Sequence, residues 1–166
     1  MNADRARGSA LSKVVCSVAA AAGLATLAAA PAEAGTSEVT AANCRHTLGA
    51  GQVVSAAYIE AFSGDRNTGA VQLCKDSSSR YWGYVVFYRP MPAGRLGEAW
   101  LDSYVNGELR SVWNCGSPGG NLQVQPGQTM CWTPKISSTS ASVKFRAYGT
   151  SWGGGFNSYG ETAITR

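Results

Sequence analysis

The chain has 166 residues, of which 45% are hydrophobic and only 14% charged, with 20 Gly, 5 Cys and a formal net charge of +4. The charged fraction lies well below the roughly 25% of an average soluble domain, yet Trp, Tyr and Val are too frequent for a disordered chain. A modest positive charge without a run of Lys and Arg argues against a nucleic-acid binder.

Residues 1–34 read as a secretory signal peptide. Arg5, Arg7 and Lys13 oppose a single acid, Asp4, ahead of an apolar run from Val14 to Ala30. Pro31 and the small-residue pattern Ala32-Glu33-Ala34 follow, which suits cleavage after Ala34. Lys13-Val14-Val15 before Cys16 does not fit a lipidation site, and no paired arginines mark the twin-arginine route. Cleavage leaves residues 35–166 as one secreted domain of 132 residues. Losing Arg5, Arg7, Lys13, Asp4 and Glu33 takes the net charge from +4 to +3. No second apolar run approaches the length of a membrane span, so no membrane contact is expected after cleavage.

Four cysteines follow the signal: Cys44, Cys74, Cys115 and Cys131. An even count in an exported chain predicts two disulfides. Of the three possible pairings, Cys44–Cys74 and Cys115–Cys131 are expected, because near neighbours in sequence are easily joined by adjacent strands. With no CxxC pair and His46 as the only histidine, neither a metal site nor a cofactor is expected.

Strand and turn signals alternate along the rest. Gln52–Phe62 reads as a strand, Ser63–Gly69 as a turn, Ala70–Cys74 as a strand and Asp76–Ser79 as a turn. Arg80–Arg89 is the strongest strand, with Trp82, Tyr84 and Val86 on one face and Tyr81, Val85 and Phe87 on the other. Apolar residues on both faces predict a central strand, ended by Pro90 and Pro92. Glu98–Val105 and Glu108–Asn114 flank Asn106-Gly107, the strongest short hairpin signal. The simplest register sets Tyr104 opposite Leu109, Asp102 opposite Ser111 and Trp100 opposite Trp113. Short strands are expected at Leu122–Val124 and Thr129–Trp132. Ser142–Tyr148 alternates, with Val143, Phe145 and Ala147 inward. Gly149–Gly160, with five glycines, reads as a loop, and Thr162–Thr165 as a closing strand. Seven to nine short strands imply an all-β antiparallel sandwich or small barrel.

Catalytic signals are scarce, and the chain is not expected to be an enzyme. No G-x-S-x-G nucleophile elbow is expected, and no serine is marked as a nucleophile. A hydrolase would need His46 within reach of an acid or a serine. Glu98 and Asp102 sit four apart on one strand, about 13 Å between Cα atoms, beyond the roughly 5–9.5 Å of paired glycosidase carboxylates. A nuclease set of His46 with Glu60 or Glu98 and Arg80 or Arg110 has the residue types without a motif.

Aromatic residues are the stronger signal. In the simplest register Trp100, Tyr104 and Trp113 share a face with Glu98, Asp102 and Ser111. Either this face is core, which the polar Glu108, Arg110 and Asn114 opposite favour, or it is an exposed recognition platform. Trp152, Phe156 and Tyr159 in the glycine-rich segment form a second candidate binding group, or a loop folded over one end. Lys144, Arg146 and Arg110 read as a solvated strand face, or as a patch attracted to anionic wall polymers.

The Ala-rich export signal, the cysteine-stapled compact chain and Val124-Gln125-Pro126-Gly127-Gln128-Thr129 resemble small secreted proteins of actinobacteria. No functional residue carries over from that resemblance. The expectation is a secreted, non-catalytic protein recognising an extracellular polysaccharide, such as a cell-wall polymer, or a protein. Alternatives are an inhibitor of extracellular hydrolases, presenting the loop from Gly116 to Pro126, and a small secreted hydrolase.

Overall fold

The computed structural model describes residues 44–62 and 68–166. The expected leader 1–34, its cleavage point and most of the turn after Phe62 lie outside the described residues. Regular structure among them is entirely strand: β1 (Gln52–Ala61), β2 (Gly69–Lys75), β3 (Arg80–Phe87), β4 (Arg95–Val105), β5 (Glu108–Asn114), β6 (Met130–Trp132), β7 (Ile136–Ser137), β8 (Val143–Gly153) and β9 (Ser158–Glu161). Among them no helix is long and apolar enough to cross a membrane.

Every pairing is antiparallel, in the order β5-β4-β8-β9-β1-β2-β3-β6, with β7 beside β3. The expected all-β fold is therefore present as one nine-stranded sheet curled into a half-barrel. β1 makes the curl, because it pairs with β2 along most of its length and with β9 through Glu60 and Ala61. The two halves then face each other. Tyr81 of β3 stacks on Phe145 of β8 at 4.4 Å between ring centroids. Ile59, Val71, Leu73, Val85, Ala99, Leu101 and Ala147 complete that interior, and their burial is the main stabilising term.

β3 is apolar on both sides because each side is covered. Trp82 and Tyr84 point away from the interior and form a second buried layer with Cys44 and Cys74. The segment before β1 provides that cover, and Gln72 accepts a hydrogen bond from the Cys44 N–H at 3.1 Å. The disulfides are Cys44–Cys74 and Cys115–Cys131, the expected pairing, with Cα atoms 5.5 and 6.0 Å apart. Two such bonds fit an oxidising compartment.

Four local expectations need correction. The β4–β5 turn forms at Asn106-Gly107, both at positive φ, but the register slips between Ser103 and Tyr104. Arg110 is the extra residue of a β-bulge, so Leu101 faces Trp113 and Trp100 faces Asn114. Gly149–Gly160 is not a loop. β8 continues to Gly153, and a turn of three positive-φ glycines, Gly153 to Gly155, leads into β9. Leu122–Val124 contributes only a bridge from Val124 to Gly97, and Thr162–Thr165 only one from Thr165 to Phe145.

Candidate functional site

Alternation fixes which side chains leave the interior. Ala99 and Leu101 of β4 and Phe145 and Ala147 of β8 point into the half-barrel, so Glu98, Trp100, Asp102, Tyr104, Lys144, Arg146, Tyr148 and Trp152 face outward. Trp100 lies opposite Tyr148 in the β4–β8 ladder. Their rings are parallel to within 3°, with centroids 5.6 Å apart, an offset stack of the favourable kind. Tyr148 meets Tyr159 of β9 at 5.9 Å. The result is a continuous band, Trp100–Tyr148–Tyr159, across three strands.

A charged network braces the band. The Arg146 guanidinium donates to Asp102 at 2.8 Å and to Glu161 at 3.0 Å. The Tyr104 hydroxyl donates to Asp102 at 3.1 Å, and that of Tyr159 donates to Glu161. Arg146 also lies over the Tyr104 and Tyr148 rings, at 5.6 and 5.9 Å. Burial, reinforced by Asp102, pushes the Tyr148 hydroxyl up to about 12. Burial and the Glu161 hydrogen bond do the same for Tyr159. Both hydroxyls therefore keep their protons at neutral pH and remain hydrogen-bond donors. Arg146 is neutralised by two carboxylates, so it forms no basic patch with Lys144 and Arg110; Arg110 pairs with Glu108.

Of the sequence candidates, Trp100, Tyr104 and Tyr159 meet on this face. The core reading therefore fails for Trp100. Tyr104 is buried, but under Arg146 on the outer side rather than in the interior. The bulge sends Trp113 the other way, half-buried against the interior cluster. Trp152 is half-buried on the outer side, opposite Leu96. Phe156 sits apart at the β8–β9 turn, 61% exposed, beneath the Arg95 guanidinium at 5.8 Å. Tyr148 is the member that sequence reasoning missed. Its outward orientation was readable, but its partner lies 48 positions away in sequence.

Glu98 is nearly sealed, at 2% exposure, beneath the segment after β5. Gln123 donates to one of its oxygens at 3.3 Å, and the other has no partner. Burial holds its pKa above the usual carboxylate range against the pull of Gln123.

Among the described residues the groupings expected of a hydrolase do not assemble. The His46 ring packs edge-on to Trp82 and tilted against Trp132, both at 5.7 Å. Its Nδ1 accepts from the Leu48 N–H, its Nε2 has no partner, and no acid or hydroxyl is bonded to it. Burial, then Lys135, lowers its pKa. Arg80 is engaged by Asp76. Against the expectation, the sequence does contain a G-x-S-x-G pentapeptide, Gly149-Thr150-Ser151-Trp152-Gly153. It lies within β8 rather than on a strand-to-helix turn. Ser151 bonds Ser158 at 2.7 Å and Arg95 at 2.9 Å, with no histidine partner. Among the described residues no cluster of His, Cys, Asp or Glu has the make-up of a metal site.

Comparisons with protein-family models, with curated proteins and with solved structures gave no match.

Proposed function

We propose that the protein is a secreted, non-catalytic binding protein that recognises an extracellular polysaccharide through the Trp100–Tyr148–Tyr159 face. The observation that carries this reading is the aromatic band itself, assembled on adjacent strands of one sheet and locked by the Arg146 network. A rigid site loses little conformational entropy on binding. Sugar rings offer apolar faces to aromatic groups and hydroxyls to the Tyr148 O–H, that of Tyr159 being held by Glu161. With Arg146 shared by Asp102 and Glu161, its guanidinium adds no spare positive charge beside the aromatic band, which favours a neutral polymer over an anionic one.

Pull-down and isothermal titration against chitin, cellulose and peptidoglycan test the reading. Retention on at least one polymer is expected, with a loss of tenfold or more in Trp100→Ala. Absence of retention on all three contradicts it.

One observation favours an inhibitor of extracellular hydrolases as the second reading. Leu122 projects from the segment closed by Cys115–Cys131, 68% exposed and at φ 71°. Its N–H bonds the Cys115 carbonyl at 2.8 Å, and the Asn121 side chain accepts from the Trp132 N–H at 2.7 Å. A pre-ordered loop with an apolar tip suits insertion into a cleft. Inhibition across a panel of secreted proteases and amylases, lost in Leu122→Ala, would support it; a flat panel refutes it.

A further inference from the structure

A pocket lies away from the aromatic band, at the end of the half-barrel where β3 finishes, β4 begins and the β8–β9 turn sits. It measures about 600 Å³, within the range of small-molecule sites, and the mouth of a barrel is a common place for one. Phe87, Pro90, Met91 and Pro92 give it an apolar side, and Thr68 and Ser151 join the charged groups on the rest. Its charged groups are Arg89 and Arg95, and no carboxylate lines it among the described residues. Among the described residues neither guanidinium has an ion-pair partner, although Asp76, Asp102, Glu108 and Glu161 elsewhere each hold a cation. Arg95 is oriented from both sides. Its Nη2 donates to Ser151 Oγ at 2.9 Å, and Phe156 lies against it at 5.8 Å. Ser151 is fixed in turn by Ser158 at 2.7 Å. The Arg95 Nε is enclosed without an acceptor among the described residues.

We infer that this pocket binds a small amphiphilic monocarboxylate, its carboxylate on Arg95 and Arg89 and its apolar body against Phe87 and Met91. A planar guanidinium matches a carboxylate in charge and geometry. The Phe87, Met91 and proline side favours an apolar body over a sugar or a polyphosphate, which would leave it uncovered. The inference is independent of the polysaccharide reading, since none of the aromatic band lines the pocket.

Octanoate is the probe, titrated into the disulfide-intact protein labelled at the methionine methyl groups, with octan-1-ol as its uncharged match. The Met91 methyl resonance should shift and saturate with octanoate, and octan-1-ol should bind at least tenfold more weakly. Arg95→Gln should weaken octanoate at least tenfold. Arg89→Gln, an exposed change that leaves the fold intact, should weaken it severalfold. A shift that fails to saturate, equal binding of the alcohol, or unchanged affinity in Arg89→Gln together with a folded Arg95→Gln would overturn the inference.

Discussion

Asp76 is the most heavily used acid of the fold, and replacing it with Asn is the sharpest test of how the N-terminal segment is held. Its Oδ1 accepts from the Ser78 and Arg80 N–H groups at 3.0 and 3.1 Å, closing the β2–β3 turn. Its Oδ2 takes the Arg80 guanidinium at 2.8 Å and Lys135 Nζ at 3.0 Å. Lys135 also donates to the Leu48 and Gly49 carbonyls and lies 4.3 Å above the Trp82 ring. Burial raises the Asp76 pKa, but hydrogen bonds from Lys135 and Arg80 outweigh it and hold the group at about 2, against an ordinary 3.8. Asp76→Asn leaves Lys135, 2% exposed, as a buried cation without a counter-ion. Breaking a fully buried pair costs about 3–5 kcal/mol. The Arg80 side of this one is partly open to water, so screening brings the expected loss to about 2 kcal/mol. That corresponds to a fall of roughly 8 °C in Tm. The pH dependence has a definite sign. A lowered folded-state pKa stabilises above the unfolded value, and the gain is lost as pH falls toward about 2. Urea unfolding of both proteins with disulfides intact should show the gap at pH 7 and its closure between pH 4 and pH 2. A gap under 0.5 kcal/mol at pH 7, or one unchanged down to pH 2, would refute the reasoning.

Three further predictions follow from the same geometry. Glu98→Gln keeps the shape and the Gln123 contact but removes a buried charge with one unpaired oxygen. Thermal unfolding at pH 7 should show it more stable by about 1 kcal/mol, the gain shrinking as pH falls through the raised Glu98 pKa. Gly149→Ala would set a Cβ 2.7 Å from Val85 Cγ1 and 2.8 Å from Ile59 Cδ1, and calorimetry should record a loss of about 1–3 kcal/mol from overpacking. Replacing Cys115 and Cys131 together by Ser opens a bridge between residues 16 apart. Denaturant unfolding should show a loss of about 3 kcal/mol.

Local chemistry made much of the fold legible in the sequence. Asn106-Gly107 announced its hairpin because both positions need positive φ. The doubly apolar β3 announced a strand covered on both sides, and the cysteine spacing suited the observed bridges. What escaped was set by distance in sequence or by a single extra residue. The bulge at Arg110 inverts Trp113 relative to Trp100, and the alternation of β5 fits either register. The glycines of the last hairpin resembled a loop until their neighbours were known. Gly149 and Gly160 are small because Val85 and the Tyr58 carbonyl sit against them. The aromatic band depends on β4 meeting β8, a contact no local pattern encodes.

The most direct measurement is indole NMR during titration with a soluble oligosaccharide of whichever polymer retains the protein. Trp100, stacked on Tyr148 on the outer face, should report binding, while Trp82, fully buried with its indole N–H on the Arg45 carbonyl, should stay still. The account predicts a saturable shift of the Trp100 indole signal that is absent in Tyr148→Ala. Binding that leaves Trp100 unmoved, or persists undiminished without Tyr148, would contradict it.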